Sequence, residues 1–226
     1  MKNKFSLVVF DIAGTTVKDN DNVAIAFIEA FQHYGVELSV KEIAPLMGFR
    51  KTEAIEKVLI EKGLLFTHDT VNDIHNHFVN TMVTFYAGSK EVEPLPGAEA
   101  LFSFLHQRDI RVALNSGFPK VVVDAIVDRF GWMEKGLIDD YIASDEVEMG
   151  RPFPLMINEL MKRSGVINPE QVIKVGDTMV DVQEGRMSGC GLVVAVTTGA
   201  YTRESLAEYS PDAIIDSLQE LIQYFE

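Results

Sequence analysis

The chain has 226 residues, 47% of them hydrophobic and 24% charged, a composition that specifies a globular fold of one or two domains with a substantial buried core. A formal net charge of −14 opposes approach to nucleic acid or to an anionic membrane, so neither is expected as a partner, and an anionic ligand has to be captured by local groups. Cys190 is the single cysteine, which excludes an intrachain disulfide, and the apolar run before Asp11 is too short for a signal-peptide core or a membrane span, so a cytoplasmic location is expected.

In chain order, the apolar run 6–10 reads as a buried strand that ends at Asp11. Residues 20–86 then hold no strand pattern but four helical ones, at 23–34, 40–47, 52–61 and 69–86, and read as a helical insert placed directly after the first strand. The stretch 88–97, with Pro94 and Pro96, returns the chain. Beyond it helices at 97–107, 119–130, 154–164 and 181–188 alternate with short apolar runs at 112–114, 141–143, 172–175, 192–196 and 213–215. This alternation predicts an α/β fold, a three-layer, doubly wound (Rossmann-like) parallel sheet with an inserted α-helical cap. The expected core comprises residues 1–17 and 89–226, the cap 18–88, with hinges near 16–20 and 88–96.

Each run ends in a small or polar cluster, and in an open parallel sheet those ends share one crevice. Asp11, followed by a turn through Gly14, places a carboxylate where it can attack phosphorus, although an isolated Asp-x-x-Gly is more often the start of an ordinary turn. Asp177 and Asp181 stand four apart at a helix start, hence on one predicted face. Such residues can simply complement the helix dipole, but beside Asp11 they would repel one another unless a hard cation such as Mg²⁺ sat among them. Ser116 and Gly117 could hold phosphate oxygens, and Arg151, preceding Pro152, could pair with both phosphate and nucleophile.

Taken together, Asp11-Ile12-Ala13-Gly14-Thr15, Ser116-Gly117, Gly150-Arg151-Pro152 and Gly176-Asp177-Thr178 with Asp181 resemble the four motifs of the haloacid dehalogenase superfamily, over nearly the whole chain. The resemblance implies that Asp11 is a nucleophile forming an aspartyl phosphate and that Arg151 orients it. It also implies that Mg²⁺ is held by Asp11, the Ala13 carbonyl and Asp177, with Asp181 supporting from outside. Gly14, Thr15, Ser116, Gly117 and Arg50 form the expected substrate- and phosphate-binding set. Most members carry a second aspartate where this chain has Ala13, and lysine where it has Arg151; both departures resemble the phosphonoacetaldehyde-hydrolase branch. That branch also uses a cap lysine in a Met-Gly-x-x-Lys context, matched by Met47-Gly48-Phe49-Arg50-Lys51.

By this likeness Lys51 forms a Schiff base with a substrate aldehyde, provided burial or the neighbouring Arg50 cation favours its neutral form. The branch's usual histidine and aromatic hydroxyl are replaced by Ala54 and Phe118. Three readings follow: C–P cleavage of phosphonoacetaldehyde or a related aldehyde phosphonate, hydrolysis of a small phosphomonoester, and a non-catalytic phosphate-binding or regulatory protein on the same scaffold. The five histidines, His33, His68, His75, His77 and His106, fall outside the motifs and are read as surface or core residues. The resemblance also implies a homodimer through the cap.

Overall fold

A computed structural model describes residues 4–225. Six parallel strands, β1 (Leu7–Phe10), β2 (Arg111–Ser116), β3 (Asp140–Ala143), β4 (Val172–Gly176), β5 (Leu192–Val196) and β6 (Ala213–Ile215), form one sheet in the order β3-β2-β1-β4-β5-β6. The central strands are buried on both faces and so carry mostly continuous rather than alternating apolar side chains. In β1, Val8 and Phe10 enter the apolar cluster on one face while Leu7 and Val9 enter the cluster on the other.

The helices divide accordingly. On the first face lie α5 (Ala98–His106) and α6 (Lys120–Phe130), anchored by Leu101, Phe102, Val123 and Ile126. On the second lie α7 (Leu155–Ser164) and α9 (Arg203–Ala207), through Ile157, Leu160 and Leu206. The helix α8 (Met179–Met187) packs on β4 and β5. These layers are those expected of a doubly wound fold.

Between β1 and α5 the chain runs through α1 (Asn22–Gln32), α2 (Val40–Ile43), α3 (Lys51–Glu61) and α4 (His68–Gly88). The helix expected at 40–47 stops after one turn, because Pro45 cannot donate to a continuing α-ladder and the chain tightens into a 3₁₀ turn at Ala44–Leu46. The 21-residue α4 carries its apolar stripe, Val71, Ile74, Phe78, Met82 and Tyr86, against α1, α3 and α6. The first apolar cluster therefore extends without a break from the sheet into the helical segment. Several short elements lie outside the expected pattern: α9 and the 3₁₀ segments at Ser144–Glu146, Pro169–Gln171 and Leu218–Phe225. No helix among the described residues is long and apolar enough to cross a membrane.

Strand register fixes where the polar clusters meet. Phe10 pairs with Leu114 on one side and Val175 on the other, so the residues that follow, Asp11, Asn115 with Ser116, and Gly176 with Asp177, emerge together at the carboxyl edge. The chain reverses its winding direction between β1 and β4, which opens a crevice there.

Candidate active site

Asp11 is pinned through its backbone: its N–H donates to Val175 O at 2.9 Å, and its carbonyl accepts the Thr16 hydroxyl at 3.0 Å. Its carboxylate faces Arg151, whose Nη1 lies 2.7 Å from Asp11 Oδ1 and also pairs with Asp181. Behind this pair runs a fully buried network. Lys174 Nζ stands 3.0 Å from Asp181 Oδ1 and 3.2 Å from Glu184, and it donates to Asn115 Oδ1 at 2.6 Å. The Asn115 amide in turn donates to both Glu184 oxygens at 2.9 Å.

Asp177 and Asp181 do not share a helical face. Thr178 is the N-cap of α8, so Asp177 lies outside the helix, while Asp181, at the third helical position, closes a capping box with Thr178. Asp181 thus spends one oxygen on Thr178, which donates through Oγ1 at 2.6 Å and N at 3.1 Å, and the other on Arg151 and Lys174. Asp177 instead accepts Thr15 Oγ1 at 3.0 Å and Ala200 N–H at 2.8 Å. Among the described residues no cation pairs with it.

The electrostatics follow from burial and charge count. Burial pushes Asp11 up to about 6 despite Arg151 beside it. Burial, and then repulsion from Asp11 and Asp181, raises Asp177 well above the ordinary carboxylate value. For Asp181 burial acts in the same sense, but Arg151 and Lys174 outweigh it and hold the group low. Three buried cations, Arg151, Lys174 and Lys51, face four buried carboxylates, Asp11, Asp177, Asp181 and Glu184, an excess of one negative charge when all are ionised. The Ala13 carbonyl accepts no hydrogen bond among the described residues, and Ala13 lines the same cavity as Asp11 and Asp177. No three His, Cys, Asp or Glu side chains among the described residues form a metal cage by themselves, so a metal bound here would need a backbone oxygen among its donors. Hard oxygen donors carrying this excess charge fit Mg²⁺.

Lys51 opens α3 and reaches into this cavity, which it lines with Asp11, Ser116, Gly117, Arg151 and Asp177. It is 3% exposed, with its ammonium 5.5 Å from the Phe118 ring centroid and 5.9 Å from that of Phe78. Burial, and then the Arg151 charge, lowers it to about 8. The effect expected from Arg50 therefore comes from Arg151. Arg50 itself does not join the cavity: its guanidinium donates to the carbonyls of Glu148 at 2.9 Å, Val147 at 2.6 Å and Ser144. It ties the segment before α3 to the loop after β3, a fork satisfied by backbone oxygens rather than by an anionic ligand.

Gly14 and Thr15 act beneath the site. Gly14 has φ +84°, and a Cβ there would stand 2.8 Å from Asp177 Oδ2 and 2.8 Å from Gly199 Cα, so its role is to let these groups close in. Ser116, 3% exposed, lies at the cavity wall and accepts the Phe118 N–H at 3.2 Å. None of the five histidines lines the cavity; His33 stacks on His77 with centroids 4.8 Å apart, and His106 meets Asp139 at 2.9 Å.

Sequence reasoning missed Asp19 in the cavity wall and the Lys174–Glu184 pair behind it. Lys174 carried a signal, a charge inside the apolar run of β4, which a buried strand tolerates only with a partner.

A carboxylate at a strand end, a buried arginine and further carboxylates gather at the switch point of a doubly wound sheet, and the chain belongs to the haloacid dehalogenase-like hydrolase family, whose model matches residues 5–189. It is 29% identical over 218 residues to a phosphonoacetaldehyde hydrolase of Bordetella pertussis, covering 91% of this chain and 78% of the relative. It is 30% identical over 203 residues to the phosphonoacetaldehyde hydrolase of Pseudomonas putida strain W619, covering 84% and 72%. In fold it matches a phosphonoacetaldehyde hydrolase-like protein from Oleispira antarctica, with TM-score 0.86, 22% identity and coverage of 99% and 92%. A predicted phosphoglycolate phosphatase from Haemophilus somnus matches with TM-score 0.80, 19% identity and coverage of 99% of each chain.

Proposed function

We propose that this hydrolase cleaves the C–P bond of phosphonoacetaldehyde or a closely related aldehyde phosphonate, using a Schiff base on Lys51 and a phosphoryl acceptor at Asp11. The observation that carries the reading is the burial of Lys51 in the same cavity as Asp11 and Arg151, with Ala13 where a proton-donating carboxylate would otherwise stand. A phosphomonoester needs its leaving oxygen protonated, and alanine cannot supply that proton. An aldehyde phosphonate needs none once its carbonyl has become a protonated imine, which accepts the electron pair of the breaking C–P bond.

Lys51, at about 8, is neutral in an appreciable fraction of molecules near neutral pH and can add to the carbonyl carbon. The phosphonate sits against Ser116 and the Gly117 backbone, and Arg151 aligns it with the Asp11 carboxylate. Asp11, the Ala13 carbonyl and Asp177 would hold Mg²⁺, which when bound would supply charge neutralisation for the phosphonate. Asp181, itself held by Lys174, fixes the guanidinium that does the aligning.

The test is phosphate release from phosphonoacetaldehyde with Mg²⁺, with and without borohydride, on the native protein and on Lys51→Arg. Turnover, with borohydride inactivation that requires both substrate and Lys51, is expected. Phosphomonoester cleavage that Lys51→Arg leaves unchanged, with no release from phosphonoacetaldehyde, would replace this reading by that of a phosphatase.

A further inference from the structure

Forming and resolving an imine requires a proton to be given to a departing hydroxyl and later withdrawn from water, and none of the groups assigned above does this. The cavity holds one ionisable side chain that those assignments leave unused, Asp19, whose half-buried carboxyl lines the wall together with Lys51 and Asp11. One oxygen is fixed by the Val23 N–H at 3.0 Å, which anchors the carboxyl to the first turn of α1. The backbone leading to it is held by the Lys18 N–H bond to Glu93 O at 3.1 Å. Burial pushes the group up to about 6; the Asp21 charge acts in the same sense, while the Val23 bond and the Lys51 charge oppose it. It therefore holds or releases a proton close to neutral pH, as a group that must act in both directions requires. The other groups around Lys51 suit the role less well: Ala54 and Phe118 carry no acidic proton, the Ser116 and Thr178 hydroxyls that line the cavity are far weaker acids than a carboxyl and Thr178 already donates to Asp181 at 2.6 Å, and neither Tyr86, raised well above 10.0 by burial, nor His75, lowered by burial, is among the residues lining the cavity.

We propose that Asp19 is the proton-transfer residue of the Lys51 half-reaction, an inference that rests on the Schiff-base reading above. Addition of the Lys51 amine to the aldehyde forms a C–N bond, and a proton passes from nitrogen to the carbonyl oxygen, giving a carbinolamine. The C–O bond then breaks, the nitrogen lone pair becomes the C=N bond, and the protonated Asp19 carboxyl gives its proton to the leaving hydroxide, which departs as water. Asp19 is left as a carboxylate near the iminium cation. C–P cleavage leaves the product as an enamine, which takes a proton from solvent at carbon to become an iminium again. When water then attacks that iminium, the Asp19 carboxylate takes the proton from the water, and the carbinolamine collapses with its hydroxyl proton passing to the departing Lys51 nitrogen, so that Asp19 is returned to its starting form.

Asp19→Asn separates this role from structure, because asparagine caps a helix as well as aspartate but transfers no proton. The rate at which borohydride traps the Lys51 adduct with phosphonoacetaldehyde is compared in native protein and variant, with the thermal midpoint as control. Trapping slower by roughly a hundredfold at an unchanged midpoint is expected. In Asp19→Ala, added formate should restore part of the rate, which a structural role alone would not allow. Native-rate trapping in Asp19→Asn overturns the inference while leaving the Schiff base intact. Slow trapping in Asp19→Ala that formate leaves unchanged also counts against it. Absence of any adduct on the native protein overturns the Schiff-base reading and this one with it.

Discussion

Replacing Gly117 by alanine perturbs the seating of the lysine segment while touching little else. A Cβ on Gly117 would stand 2.5 Å from Phe49 O and 2.6 Å from Gly48 O, where ordinary contact begins at 3.4 Å. The obstacles are backbone atoms, so they cannot swing aside as a side-chain tip would, and Gly48 on the same segment is already lodged against Thr178. The segment has to withdraw by roughly 0.9 Å, carrying Lys51 with it. Gly117 does not occupy the left-handed region, so alanine adds no backbone strain, and its N–H remains available. A displacement of about 1 Å costs on the order of 10²-fold in rate, about 2.7 kcal/mol of transition-state stabilisation. The assay is kcat/KM for phosphate release from phosphonoacetaldehyde, with the thermal midpoint and competitive binding of inorganic phosphate as controls. A drop near a hundredfold with both controls unchanged is expected; a kcat/KM within about threefold of native would refute the reasoning that core contact with this segment positions Lys51.

Arg50→Ala removes the donor to three carbonyls of the 144–148 loop and should lower kcat/KM by about tenfold, with faster proteolysis near residue 50; Arg50→Lys should not restore it, since an ammonium cannot reproduce the planar fork. Lys174→Met leaves Asp181 and Glu184 facing each other without their shared cation and should cost about 3–5 kcal/mol in chemical denaturation, against which a loss below about 1 kcal/mol would count. In the metal-free protein Asp11 and Asp177 both bind protons more tightly than their ordinary 3.8, so the folded state holds more protons than the unfolded chain, and stability should fall as pH rises from about 4 through 6. Saturating Mg²⁺ should remove the Asp11 and Asp177 share of that slope, leaving the share of Asp19, which is also raised to about 6, and add about 2.7 kcal/mol at a hundredfold excess over Kd; Asp177→Asn should lose the Mg²⁺ response, and an equal response in both proteins would exclude Asp177 as a ligand.

The layers were legible because two periodicities act independently of tertiary detail. Continuous apolar runs of four or five residues that end in turn residues read as strands buried on both faces, and the helical stripes between them supply the layers that cover those faces. Asp11, Ser116, Gly117, Arg151 and Asp177 were legible for a related reason: each ends or follows such a run, and parallel register carries all run ends to one edge. Lys51 was reachable only through resemblance, since nothing in its local pattern distinguishes it from a solvated lysine at a helix start.

The sequence by itself therefore determined the alternation of elements, the edge at which chemistry gathers and the residue types available there. Only the tertiary structure decided their orientation. It turned Arg50 away to backbone carbonyls, moved Asp181 behind Arg151, paired Lys174 with Glu184 across two elements, and brought Asp19 from the approach to α1 into the cavity with Lys51. The physical reason is that these outcomes depend on which buried charge finds a partner. That competition runs between residues dozens of positions apart, and desolvation settles it only once the layers have closed.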